Sequence, residues 1–319
     1  MKVSVWMSAY NHGKYISQCL DSVLNQKTNF EFDIVLGEDC STDNTREIVK
    51  KYSENNPGKF RLFLPEKNIG MMEMDVATRK MCTGEFIALL NGDDYWTDEY
   101  KLQIQADFME QNPDAVMCFH KSEIINENTG YKFDSYYPGT GDTLPAESLL
   151  LGYNPVMTPT VMIRNIMDVP DYYAELPYGD MPLYLLLSEK GKIKYIDRKM
   201  SVYRIHSEGQ WQGESVYKNL LKDLNFYRIM NGKLGFKYDR QIRKIFSQRY
   251  FDLVISDINN DNYKQARRFF KKLVLADSEF LFENKRDIVR MFEILFETAD
   301  KSKHRNLLSR EVQWKISQH

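Results

Sequence analysis

Two adjacent carboxylates, Asp93 and Asp94, follow the apolar run Phe86-Ile87-Ala88-Leu89-Leu90 and the turn signal Asn91-Gly92. An unbroken apolar run of this length is the pattern of a strand buried on both faces, ending where the turn begins. Ligands of an open α/β sheet bind at the carboxyl ends of its strands, so these two side chains stand where chemistry is done. Aspartate oxygens are hard ligands suited to Mg²⁺ or Mn²⁺, and such a cation suits a diphosphate. Taken alone, an exposed Asp-Asp turn is the commoner meaning of such a pair, and the surrounding pattern must decide. Cys19, Cys40, Cys82 and Cys118 show no close pair and no ligand-like spacing. That argues against a zinc site or a disulfide framework and for a reducing compartment.

Holding the pair in place takes a sheet, and the preceding residues supply one. Val3 to Ser8 reads as a first strand, Ala9 to Gly13 as its loop, and residues 14–25 as an amphipathic helix with Tyr15, Ile16, Cys19, Leu20, Val23 and Leu24 on one face. A second strand spans Phe32 to Gly37, and Ser41, Thr42 or Asp43 caps a helix beginning near Thr45. Arg61 to Leu64 is a third strand, Asn68-Ile69-Gly70 a turn, and residues 71–82 a helix that delivers the chain to Phe86. Alternating strands and helices imply a parallel sheet with right-handed crossovers. Beyond Asp94 the alternation is lost. Trp96 to Met109 reads as a helix, Ala115 to Phe119 as a strand, 126–145 as a polar loop rich in Gly and Tyr, and Val156 to Ile163 as a strand with Thr158 and Thr160 on one face. An apolar helix over Leu183 to Leu187 and a strand at 193–196 follow.

From about residue 215 the pattern is helical throughout, and residues 250–273 form a helical hairpin around Asn259-Asn260-Asp261-Asn262. One such hairpin resembles a single tetratricopeptide unit, which lacks the neighbours a solenoid needs, so 215–319 reads as a helical appendage to 1–214. With 319 residues, 43% of them hydrophobic, the chain has enough apolar residues for a packed core and is not a disordered protein. Its total charge of −2 is unevenly spread: residues 215–319 hold 22 Lys/Arg and 13 Asp/Glu, a net of +9, against −11 before them. A basic tail suits an anionic membrane surface or a partner, though solvated surface would look the same. Met1-Lys2 leads directly into a strand pattern and no apolar run reaches the length of a span, so a cytoplasmic protein, peripheral on the inner face of the membrane at most, is expected.

Four motifs in order, Ser-Ala-Tyr-Asn-His at 8–12, Gly-Glu-Asp-Cys-Ser-Thr-Asp-Asn-Thr at 37–45, Asn-Ile-Gly at 68–70 and Gly-Glu-Phe-Ile-Ala-Leu-Leu-Asn-Gly-Asp-Asp at 84–94, resemble the family-2 glycosyltransferases of the GT-A fold. Gly179-Asp180 and Tyr203-Arg204-Ile205-His206 extend the resemblance to about residue 210. It implies a GT-A fold, a mixed and mostly parallel sheet flanked by helices, and an inverting transferase that uses a nucleotide-activated sugar, a divalent cation (Mn²⁺ or Mg²⁺) and a glycan or lipid-linked acceptor. No nucleic-acid partner is expected.

By that resemblance Ser8 and Tyr10 border the nucleotide base and Asp39 accepts from its imide edge. An aromatic face for stacking and a carboxylate for an N–H donor such as uracil N3 suit those roles, while rim packing and helix capping are the plain alternatives. Asp93 would contact ribose or metal, and Asp94 would bind the metal that bridges the diphosphate. Asp180 would be the general base, and Pro182 just after it is also a helix-start signal, so capping and catalysis are both open. His206 would complete the metal shell, Trp211 would lie over sugar, and Arg204 would pair with diphosphate or with an internal carboxylate. Trp96 joins the residues expected on the acceptor or diphosphate side.

Three positions depart from the family pattern, and Gly179, where the family has the first member of an acidic pair completed here by Asp180, is one of them. The family's usual Asp-x-Asp-Asp is here Asn91-Gly92-Asp93-Asp94, and its Ala-Arg-Asn is Met74-Asp75-Val76, which leaves Arg79, one turn on, as a substitute cation or a solvated helix face. Nucleotidyl transfer onto a sugar phosphate would require a Gly-rich phosphate loop after the first strand, and Ser-Ala-Tyr-Asn-His is not one. A scaffold that binds nucleotide sugar without catalysis is the remaining alternative.

Overall fold

A computed structural model describes residues 1–207, 209 and 215–297. The chain divides into two compact units, one of Met1–Leu149 with Asn154–Gln212, the other of Leu150–Tyr153 with the residues from Gly213 on.

In the first unit β1 (Val3–Ala9), α1 (Ile16–Leu24), β2 (Phe32–Glu38), α2 (Thr45–Asn55), β3 (Phe60–Phe63), α3 (Met71–Arg79) and β4 (Phe86–Asn91) follow the expected alternation. The short strand β5 (Tyr95–Trp96), α4 (Lys101–Gln111), β6 (Ala115–Asn126), β7 (Lys132–Asp134), β8 (Thr143–Leu144), β9 (Met162–Arg164), α5 (Asp180–Ser188) and β10 (Lys192–Ile205) complete it. One ten-stranded sheet results, in the order β3-β2-β1-β4-β9-β6-β10-β5, with β7 beside β6 and β8 beside β10. β1 pairs in parallel with both β2 and β4, and β9 runs antiparallel between β4 and β6. Val5, Ile34, Ala88 and Leu90 from these strands pack with Ile16, Leu20 and Val23 of α1 in one buried cluster. Burial of both sheet faces explains why the first strands read as continuous apolar runs.

Three expectations change. Residues 158–160 form a 3-10 turn around Pro159, and only Met162–Arg164 is strand. Pro159 has no N–H to give a ladder, which confines the strand to the residues after it. The helix expected from Trp96 begins at Lys101, because Tyr95 and Trp96 pair with Val202 and Ser201 of β10 instead. Lys101 is fully buried, its Nζ donating to Gln105 Oε1 at 2.6 Å and lying 4.1 Å from the Trp96 ring centroid. β10 is also far longer than its apolar stretch suggested. It runs parallel to β6 with register shifts on either side of Lys199.

The second unit is helical: α6 (Val216–Lys233), α7 (Asp239–Asn259), α8 (Tyr263–Ala276), α9 (Ser278–Glu283), α10 (Lys285–Phe292) and a π turn at Glu293–Glu297. Phe251, Val254, Phe269, Phe270 and Leu273 join α7 and α8 in one core. Leu150–Tyr153 belongs to this unit although its neighbours in sequence do not, and Arg249 donates to the Gly152 carbonyl while pairing with Asp223 at 2.8 Å. No described helix is long and apolar enough to cross a membrane.

Candidate active site

The carboxyl ends of the first strands are tied to one another by side chains. Asn11, at a φ of 55°, accepts through Oδ1 from the Thr42 amide, and its own amide donates to Ser41 Oγ. Asp43 accepts from the Gly13 and Thr45 amides, but the cap position of α2 falls to Asn44, none of the three expected residues, and carries no side-chain cap bond. Both oxygens of Asp39 accept from amides of the next loop, Ile69 at 2.8 Å and Gly70 at 2.9 Å. Asp39 is 4% exposed, and its fixed carboxylate keeps lone pairs beyond those two bonds. Tyr10, by contrast, is exposed at the rim.

At the end of β4 the register Ser8↔Asn91 sets the β1 loop against the Asn91–Asp94 turn. Asp93 Oδ2 lies 3.1 Å from His206 Nε2 and 3.7 Å from His12 Nε2. Burial pushes the Asp93 carboxyl up, but the His12 and His206 imidazoles outweigh it and hold it below its ordinary value. Asp94 goes the other way: burial and then the Asp93 charge push it well above the usual carboxylate range. Asp94 Oδ1 accepts from the Arg204 amide at 2.8 Å, whereas Asp94 Oδ2 and Asp93 Oδ1 are buried and meet no donor. Gly92 is required here, since a Cβ would stand 2.7 Å from His12 Nδ1 and 2.8 Å from Ile16 Cδ1. Among the described residues no three His, Cys, Asp or Glu side chains form a metal cage by themselves. The two orphan oxygens nonetheless fit a cation that takes its remaining ligands from phosphate, as Mg²⁺ and Mn²⁺ do.

Asp180 opens α5 at the other part of the site. Its Oδ1 accepts from the Met181 amide at 2.8 Å and its Oδ2 from Asn154 Nδ2 at 2.5 Å, and burial raises its proton affinity. Gly179, not Asp180, is the cap residue of α5 and makes no side-chain cap bond, so the capping alternative expected from the sequence is not realised; Asp180 is the first residue of the helix and its carboxylate is half-buried. Asp75 of α3 reaches the same place, with Oδ1 accepting from Ser8 Oγ at 2.8 Å.

Three expectations are corrected or narrowed. Trp96 does not face substrate: it is 4% exposed and its indole N–H donates to the Pro159 carbonyl at 3.0 Å. Arg204 takes the internal carboxylate, the second of its two expected partners, and not the diphosphate: its guanidinium donates to Glu127 Oε1 at 3.2 Å, Gln18 Oε1 at 2.5 Å and the Asp93 carbonyl, and stacks on Tyr15 and Tyr95. Arg79 is neither a substitute cation nor solvated, being 2% exposed and bound to Asn165 Oδ1 and the Met167 carbonyl. Trp211 lies outside the described residues. Sequence reasoning missed His12, Asp75 and Asn154 as site residues. His12 ends the first motif and Asp75 stands where the family pattern was broken, so both carried a signal; Asn154, in a loop, carried none.

The model of Glycosyl transferase family 2 matches residues 4–163. A protein of Mycobacterium tuberculosis is 32% identical over 209 residues, which cover 66% of this chain and 60% of the relative, so the chain spans less than two thirds of that relative's length. Among solved structures, Staphylococcus aureus TarS 1–349 in complex with UDP-GlcNAc superposes with a TM-score of 0.55 at 19% identity, over 93% of this chain and 91% of that one. The mannosyltransferase PcManGT of Pyrobaculum calidifontis, in complex with GDP-Man and Mn²⁺, gives a TM-score of 0.50 at 11% identity, over 100% and 81%. With the motifs, the strand order and the family model in agreement, the chain belongs to glycosyl transferase family 2 and has the GT-A fold.

Proposed function

We propose that the chain transfers a sugar from a UDP-sugar to a hydroxyl of a glycan or lipid-linked acceptor, with inversion at the anomeric carbon. The observation that carries this reading is the pair of buried oxygens, Asp93 Oδ1 and Asp94 Oδ2, left without donors at the carboxyl end of β4. The UDP-GlcNAc complex of TarS supports a uridine donor, and the Mn²⁺ of PcManGT supports a divalent cation. Asp93, Asp94 and His206 would hold Mn²⁺ or Mg²⁺ together with diphosphate oxygens. When bound, the cation neutralises charge on the departing nucleoside diphosphate. Tyr10 offers the base a face, Ser8 borders it, and Asp39 accepts from its imide N–H. Asp180 takes the proton of the acceptor hydroxyl, whose oxygen bonds to the anomeric carbon from the side opposite the leaving UDP. The reaction is placed in the cytoplasm, on the inner face of a membrane that the basic helices approach.

Calorimetry of the full chain with UDP-GlcNAc tests the reading. Binding is expected with Mn²⁺ present, to vanish in excess chelator, and to weaken about tenfold or more in Asp94→Asn. Unchanged binding in chelator would overturn it. GDP binding tighter than UDP would withdraw the uridine assignment alone.

A further inference from the structure

Gly179 occupies the position at which the family pattern has the first member of an acidic pair, and the structure shows what fills the space. A Cβ on Gly179 would stand 2.8 Å from Asp75 Oδ2 and 2.9 Å from the Tyr173 hydroxyl. The carboxylate that the sequence lacks beside Asp180 is therefore supplied by a residue 105 positions earlier, from α3. Its other oxygen is fixed by Ser8 Oγ at 2.8 Å, at the end of β1, and Tyr173 donates to the Gly179 carbonyl to hold the turn before α5. We propose that Asp75 is the acidic partner of Asp180, a positioning residue whose charge sets how strongly Asp180 binds a proton. The inference rests on the reading of Asp180 as general base.

The surroundings leave the two carboxyls to act on each other. Ser8 of β1 offers Asp75 a neutral donor, and Tyr173, whose own proton affinity burial raises, faces both acids. Among the described residues Tyr184 and Tyr203 also face Asp180. Arg79, the cation nearest along α3, is engaged by Asn165 and the Met167 carbonyl. Burial, opposed by the Ser8 bond and reinforced by Asp180, pushes Asp75 up to about 7. Around neutral pH the pair therefore exchanges between one negative charge and two, and with Asp75 ionised, Asp180 becomes the stronger base. An acidic neighbour on α3 also brings the donor-side residue Ser8 into the same network as the base.

Two measurements on the full chain decide the matter. Carboxyl-carbon NMR titration with ¹³C-labelled aspartate should show the Asp75 midpoint falling by about one pH unit in Asp180→Asn, as loss of a like charge requires. The pH profile of UDP-GlcNAc hydrolysis with Mn²⁺, water serving as acceptor, should show its acid limb moved to lower pH in Asp75→Asn and its alkaline plateau reduced a few-fold. Asparagine keeps an oxygen for Ser8, so a purely structural Asp75 predicts an unshifted profile. Independent titration of the two carboxyls, or an unmoved acid limb, would overturn the proposal. If Asp180→Asn hydrolyses donor like the wild type, the general-base reading fails instead, and the NMR midpoints still report whether the pair exists.

Discussion

A planar guanidinium with acceptors in three separate segments fixes those segments against one another. Arg204 does this for Gln18 of α1, Glu127 after β6 and the Asp93 carbonyl, while its backbone amide orients Asp94. Lysine keeps the charge but not the fork, so Arg204→Lys should cost about 1–2 kcal/mol, because the buried guanidinium's bonds are lost while the exposed acceptors Gln18 and Glu127 can turn to water. Urea denaturation measures this, and a midpoint equal to the wild type's would show that the clamp is not needed. The contrast between Arg204 and the aspartates shows what sequence exposes. Asp93 and Asp94 adjoin an apolar strand whose end marks a ligand position, so adjacency along the chain carries the information. Arg204 meets partners 77 and 186 positions away, and no local pattern encodes such contacts. Trp96 misleads for a related reason: an aromatic beside a site looks like a sugar platform until its N–H is seen satisfied inside the core.

The first seven elements were legible because each is a short, strongly periodic segment between turn residues, and their order alone requires a parallel sheet. Legibility fails where an element's identity depends on a distant partner. β5 exists only because β10 pairs with it, and β10 passes through the exposed residues 197–199, where its register with β6 shifts and apolar periodicity is lost. The first residue of α4 holds another consequence of this packing. Burial lowers Lys101 from 10.5 to about 7. Between these values the unfolded chain holds a proton that the folded chain has released, so the destabilisation is greatest at or below pH 7 and fades as pH rises to 10.5. Lys101→Met should accordingly gain on the order of 2 kcal/mol at pH 7 and little near pH 10. Urea midpoints at the two pH values check it, and equal gains would locate the effect in packing instead of ionisation.

Charge is the property that distinguishes the two halves of the molecule, and the helical unit adds exposed apolar side chains to its excess of Lys and Arg, notably Leu275, Phe282 and Val289. That combination leads us to expect co-sedimentation with vesicles containing anionic lipid, declining as salt rises, since about 1 kcal/mol accrues per basic residue at the surface and screening removes it. Equal recovery with neutral vesicles would refute an electrostatic attachment. The way the chain is divided has a different consequence, for inheritance. Leu150–Tyr153 completes the helical unit from within the stretch that otherwise builds the sheet, and Arg249 reaches the Gly152 carbonyl to seat it. No single cut yields two whole pieces. A recombination event that exchanged everything after residue 214 would leave the recipient with a foreign four-residue insert whose carbonyl has lost its guanidinium, so the helices and that loop must be passed on together or be refitted to each other.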